Sequence, residues 1–280
     1  MALYPHGYQR TNLGASLAAA AFTPGSGPSD ASRSFLVDRR MDKVYEFTAV
    51  SGDNELVIDF GSAVSLGAIA LLNSNVVDAP GGEPTVTVEA ADNSGISVNA
   101  VLAKDETLLN ITLPYHRDHV LQFPAVSRRF WRITWFWSGS FQLTLGEIFF
   151  AAGVTSLPRR STYGSGDALR VLDVSVEMQY GDSRVTLLGG PQRVKRLRFA
   201  DLSATDAQAL RTMWLTMGGR ALPFLWVEQV QAATQGAPAA EQECVFGRLQ
   251  APDFAEPQED FGVYQTAELE VRSMGRQVGL

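Results

Sequence analysis

The chain has 280 residues, 45% of them hydrophobic and 19% charged, with a net charge of −7 and a pI near 5.0. That is ordinary globular composition, which argues against disorder, and its acidic balance offers no global field for nucleic acid or an anionic membrane. No stretch approaches the roughly 20 apolar residues of a spanning helix, and the single cysteine, Cys244, excludes an internal disulfide framework and a cysteine-based zinc site.

Residues 1–33 are rich in Gly, Ala, Ser and Pro and end in Thr23-Pro24-Gly25-Ser26-Gly27-Pro28. They read as an N-terminal arm, mobile alone and ordered against a neighbour in an assembly. Leu13–Phe22 is built on alanine behind one arginine. It lacks the basic start and leucine-rich stretch of a signal peptide, so synthesis in the cytoplasm is expected.

From 34 to 152 the chain reads as short strands: Val44–Thr48, Glu55–Phe60, Leu66–Leu72, Pro84–Ala90, Val98–Ala103, Leu109–Leu113, His119–Phe123, Phe130–Trp137 and Gln142–Phe150. Ser51-Gly52-Asp53-Asn54, Gly61-Ser62, Pro80-Gly81-Gly82 and Asp92-Asn93-Ser94-Gly95 are the turn signals between them. Residues 153–168, with several glycines and Pro158, form a linker. In 169–280, strands at Val171–Tyr180, Arg184–Leu188 and Arg193–Phe199 precede one helix. Ser203 with Asp206 marks its start, Leu210, Met213, Trp214 and Met217 form its apolar stripe, and Gly218-Gly219 ends it. Trp214 is expected in the core. Strands at Pro223–Glu228, Glu243–Leu249 and Tyr264–Ser273 complete the chain. The expected fold is mainly β: a jelly-roll β-sandwich followed by a β-rich α+β domain with one helix.

Four segments in order carry a resemblance in the first half: Leu56-Val57-Ile58-Asp59-Phe60-Gly61, Val86-Thr87-Val88-Glu89-Ala90-Ala91-Asp92-Asn93, Arg129-Phe130-Trp131-Arg132-Ile133 and Leu145-Gly146-Glu147-Ile148-Phe149-Phe150. Together they resemble the discoidin, or galactose-binding-like, family, which implies the sandwich over 34–152. In the second half, Lys195–Phe199, the helix after Leu202-Ser203, Met217-Gly218-Gly219-Arg220 and Pro223-Phe224-Leu225-Trp226 resemble the ring-forming region of phage distal tail proteins. That resemblance implies a ring domain over 169–280, joining copies of the chain to the tail tube, hub and other baseplate proteins.

Candidate chemistry is sparse. His116, Asp118 and His119 have metal-ligand spacing, yet only His6 remains to complete a site, so a solvated loop is the preferred reading. Asp253, Glu256, Glu259 and Asp260 cluster around prolines and read as an acidic loop rather than an acid/base pair. No cofactor is expected; the oxygen-rich Asp92-Asn93-Ser94 turn is the one candidate for calcium. Period-2 alternation puts Trp131, Ile133, Trp135 and Trp137 on a core face and Phe130, Arg132, Thr134 and Phe136 opposite. Arg132, Phe136 and Phe141 from that opposite face, with Asp92 and Asn93 from the turn, are the candidate ligand or subunit contacts. Arg193, Lys195, Arg196 and Arg198 are expected to make charge contacts between subunits.

The expected function is structural and non-enzymatic: a virion component of a long-tailed phage tail tip, closing into a symmetric ring. The alternatives are a tail protein that recognises host surface glycans and an accessory binding module of a secreted glycoside hydrolase. The predicted sandwich-end loops offer Asp78, Glu83, Asp92 and Asn93 but no aromatic. Glycan affinity is accordingly expected to be no tighter than about millimolar, because hydrogen bonds alone are worth only about 0.5–1.5 kcal/mol each. Neither membrane insertion nor sequence-specific nucleic-acid binding is expected.

Overall fold

A computed structural model describes residues 7–25, 30–38, 43–47, 50–76, 84–107, 118–157, 166–170, 173–177, 183–187, 192–199, 202–219, 221–229, 242–250, 258–260, 263–265 and 269–273. These form two compact units, 1–156 with 227–244 and 157–226 with 245–280. The fold is β-rich with a single α-helix among the described residues.

The first unit contains β1 (Gly7–Gln9), β2 (Phe22–Pro24), β3 (Tyr45–Glu46), β4 (Val50–Leu72), β5 (Thr85–Ala91), β6 (Val101–Thr107), β7 (His119–Phe141), β8 (Thr144–Leu145), β9 (Glu147–Ala151) and β10 (Thr155–Ser156). Its frame is the antiparallel ribbon of β4 and β7. The early half of β4 pairs with the late half of β7, flanked by β2 on one side and by β5 then β6 on the other. The late half of β4 pairs with the early half of β7 and with β9. Leu56, Ile58, Trp131, Ile133 and Trp135 from the first set join Ile69, Leu71, Leu121, Phe123, Ile148 and Phe150 from the second in one core. One ribbon thus supplies both walls of a jelly-roll-like sandwich.

This corrects the short-strand reading. Ser51–Asn54 and Gly61-Ser62 lie inside a continuous 23-residue strand. Between the Asp59–Phe130 and Val64–Arg128 pairs, β4 carries residues 60–63 where β7 carries only Arg129. Gly61, at φ +74°, takes up the excess, and its N–H donates to Asp59 Oδ1 at 2.7 Å. A turn-forming residue in a paired strand makes a bulge that bends the ribbon from one wall to the other.

The arm differs from expectation as well. Phe22 is fully buried in the core, and β2 pairs with β4 from Phe22↔Ile58 to Pro24↔Leu56. Upstream, buried Asn12 acts as a four-bond hub. Its Nδ2 donates to Glu147 Oε1 (3.1 Å) and the Ile148 carbonyl (3.2 Å), while its Oδ1 accepts from Gly14 N (2.9 Å) and Phe150 N (3.0 Å). Small residues are used here for close approach: a Cβ on Gly14 would collide with the Phe150 ring.

The second unit contains β11 (Gly166–Arg170), β12 (Asp173–Glu177), β13 (Ser183–Leu187), β14 (Gln192–Leu197), α1 (Ala204–Thr216), the first half of β15 (Phe224–Gln229), most of β16 (Gln242–Leu249), β17 (Gln258–Asp260), β18 (Val263–Gln265) and β19 (Leu269–Ser273). β16, β19, β14 and β11 are successive antiparallel neighbours, so a strand occupies the end of the expected linker. β12–β13 and β17–β18 are separate two-stranded pairs.

Helix α1 starts as its sequence dictates. Ser203 Oγ accepts from Asp206 N at 3.2 Å, and Asp206 Oδ2 accepts from Ser203 N at 2.9 Å, a reciprocal capping box. Gly218 (φ +59°) and Gly219 (φ +62°) end it, with Gly219 N donating to the Trp214 carbonyl at 3.0 Å. Its buried stripe is Ala207, Leu210 and Met213, continued by Met217 past its end. Trp214 is only half-buried at the flank of this stripe, against Gly219, and so is not the core anchor expected.

Candidate functional site

The outward face of β4, β7 and β5 is where the first unit gathers its functional side chains. Alternation along β7 buries Trp131, Ile133, Trp135 and Trp137 and turns Phe130, Arg132, Thr134 and Phe136 outward, as expected. The register then assembles cross-strand rows. Asp53, Phe136 and Thr85 form one; Glu55, Thr134 and Thr87 the next; Val57, Arg132 and Glu89 the third. Side chains directly opposite on one face are the nearest neighbours a sheet offers.

Charge on this face is largely self-satisfied. Arg132 donates from Nε and Nη2 to Glu89 Oε2 at 2.8 and 2.6 Å, and its Nη1 lies 3.6 Å from Glu55 Oε1. Asp59 receives a two-pronged bond from Arg129 at 2.7 and 2.8 Å. The bonded Arg129 guanidinium, helped by the Gly61 N–H, holds the Asp59 carboxyl below its usual range despite partial desolvation.

The two outward aromatics differ. Arg129 lies over the Phe130 ring, 4.7 Å from its centroid, so that ring is capped by a cation. Phe136 is 50% exposed and stays open. Beside it, Asp53 is exposed and makes no hydrogen bond or ion pair among the described residues. Phe141 does not belong to this face: it is partly buried on the core, its ring edge-on to Trp137 at 5.4 Å. Between the Gly52–Trp137 and Val50–Phe141 pairs β7 carries three residues where β4 carries one, with Gly139 at φ +88°, and past this bulge Phe141 lies on the inner side.

Asp92 and Asn93 stand at the other end of β5, roughly 20 Å along the strands from Phe136 at the usual strand rise, and their groups are spent on their own loop. Asn93 Oδ1 accepts from Ser97 N (3.0 Å) and Val98 N (2.9 Å), and Asn93 Nδ2 donates to Ser97 Oγ (3.0 Å). Asp92 Oδ2 accepts from Asn99 Nδ2 at 2.8 Å, and its Oδ1 lies 3.7 Å from Arg128 Nε. A calcium ion there would have to displace these bonds. Among the described residues no three His, Cys, Asp or Glu side chains converge as metal ligands would. The five expected contact residues therefore make no single site; Arg132 and Phe136 alone share the outer face.

Elsewhere, Asp118 Oδ1 accepts from Asn73 N at 2.8 Å, while His119 lies on β7 opposite Leu71. His116, Asp78, Glu83, Asp253 and Glu256 lie outside the described residues, as does the expected strand Leu109–Leu113; Glu259 and Asp260 fall on β17. In the basic run, Arg196 faces Glu270 across β14 and β19, with Nε 3.6 Å from Oε1, so this contact is made within the chain. Lys195 is buried and Arg198 exposed; Arg193 holds the register position opposite Leu169. Sequence reasoning missed Asp53, which sat in an apparent turn, and Asn12, which sat in an apparent arm.

Fold and site define the first unit as a jelly-roll-like β-sandwich whose polar outer face carries, among the described residues, one open aromatic. No family model and no curated protein matches the chain. Among solved structures it is similar to a fucose-binding module from Streptococcus pneumoniae, at 17% identity and a TM-score of 0.38, over 51% of this chain and 96% of that one. It is also similar to the family 32 CBM of NanJ from Clostridium perfringens in complex with galactose, at 15% identity and a TM-score of 0.34, over 48% and 95% of the two chains. A third, CpGH89CBM32-5 from Clostridium perfringens, in complex with GalNAc-β-1,3-galactose, shares 8% identity at a TM-score of 0.38, over 48% and 98%.

Proposed function

We propose that the first unit is a non-catalytic saccharide-binding module whose platform is Phe136. The observation that carries this reading is a half-exposed aromatic on a central strand, with an open carboxylate (Asp53) and a threonine (Thr85) directly across from it. A sugar has an apolar C–H face and polar edges, so it needs a stacking ring and hydrogen-bonding groups side by side. A large protein partner fits this face less well. Among the described residues, Arg132 and Arg129 are already paired within the chain, and the exposed Leu102 and Val98 lie toward the far edge, away from Phe136.

One ring and a few exposed polar groups give weak binding, with Kd of about 1 mM, or roughly 4 kcal/mol. Titration of the full chain with neutral oligosaccharides, followed by NMR or calorimetry, should show binding at this level. Phe136→Ala should weaken it about ten-fold with the fold intact. Saccharide binding that Phe136→Ala leaves unchanged would overturn the site.

A second reading is favoured by the second unit. The order β14, α1, Gly218-Gly219, β15 is the one on which the resemblance to distal tail proteins rests. On this reading the chain is a structural component of a phage tail tip, made in the host cytoplasm, joining its own copies and other baseplate proteins while the first unit recognises host surface glycans. Native mass measurement of the purified chain tests it: a closed ring supports the reading, and a monomer at all concentrations removes it.

A further inference from the structure

Resting on the Phe136 reading, we infer that Asp53 sets the specificity of that site and selects sugars bearing a free amino group over N-acetylated and acidic ones. The charges within reach of Phe136 are unequal. Arg132, the cation in the neighbouring rows, is bonded to Glu89 and lies 3.6 Å from Glu55, so its charge is already answered. Asp53 is exposed, sits directly opposite Phe136, and makes no bond among the described residues. Glu55 follows on the same face of β4. Among the described residues, the open charge beside the ring is therefore negative.

An aromatic face next to an unpaired carboxylate suits an ammonium group carried on an apolar ring. The π-face attracts the cation, the carboxylate pairs with it, and the sugar's C–H face stacks. A uronic or sialic acid would instead set its own carboxylate against Asp53. An N-acetyl group removes the positive charge, leaving stacking alone.

The test uses the full chain at pH 6 with four ligands: a glucosamine tetramer, its N-acetylated counterpart, a neutral glucose tetramer and a galacturonic acid tetramer. The glucosamine tetramer should bind about five-fold more tightly than the acetylated and neutral ones, the size of gain an exposed ion pair supplies. That preference should shrink as salt rises. The uronic tetramer should bind most weakly. Asp53→Asn should bring the glucosamine and acetylated tetramers within about two-fold of each other, while Phe136→Ala weakens both. Equal affinities in the parent chain, or a preference that survives Asp53→Asn, would overturn the inference while leaving Phe136 as a sugar platform. Absence of binding by all four ligands would remove the platform itself.

Discussion

Replacing Trp131 by alanine should destabilise the first unit by about 3–5 kcal/mol, the range for large buried aromatics. Trp131 is fully buried, faces Phe123 at 5.9 Å between ring centroids, and donates from Nε1 to the Arg128 carbonyl at 3.1 Å. It sits just past the bend of the β4–β7 ribbon, so its loss opens a cavity where the two walls meet and frees the Arg128 carbonyl. Urea denaturation of the parent and variant measures the difference. Phe136→Ala, on the opposite face of the same strand, provides the control and should change stability by less than about 1 kcal/mol. Comparable losses in both variants would mean that the outer face is covered and that Phe136 is no platform.

Asn12→Ala is expected to cost about 2–4 kcal/mol, more than its place in a Gly- and Ala-rich segment suggests. The substitution deletes four hydrogen bonds at once, in a region where water cannot freely replace them. Glu147 is fully buried and would lose the amide that now answers Oε1. Leaving a buried polar group short of a partner costs about 1–3 kcal/mol, more when the group is charged. Hydrogen exchange would locate the effect: the Phe150 amide should lose protection in the variant together with Gly14. A variant that melts with the parent would show that the segment is only draped over the sandwich.

What could be read from the sequence alone was whatever depends on near neighbours. The two faces of 130–137 follow from strand geometry, which alternates whatever the strand pairs with. The start of α1 at Ser203 and its end at Gly218-Gly219 depend on groups within one helical turn. The β-rich class followed from the density of such segments.

Tertiary structure decided everything that depends on which strands meet. Gly52 and Gly61 look like turn residues by composition, yet Gly52 is paired with Trp137 and Gly61 bulges between two paired stretches, so one long strand runs through both. Register placed Arg196 opposite Glu270 on the neighbouring strand, and it set the open Asp53 beside Phe136. Asp92 and Asn93 carry the oxygens of a cation loop, but the path of 92–99 turns those oxygens onto its own amides. The arm became part of the sandwich because Phe22 found a place in the core and Asn12 found partners on β9. Composition cannot foresee such contacts: Phe22 pairs with Ile58 on another strand, and the Asn12 amide bonds to Glu147, 135 positions along the chain.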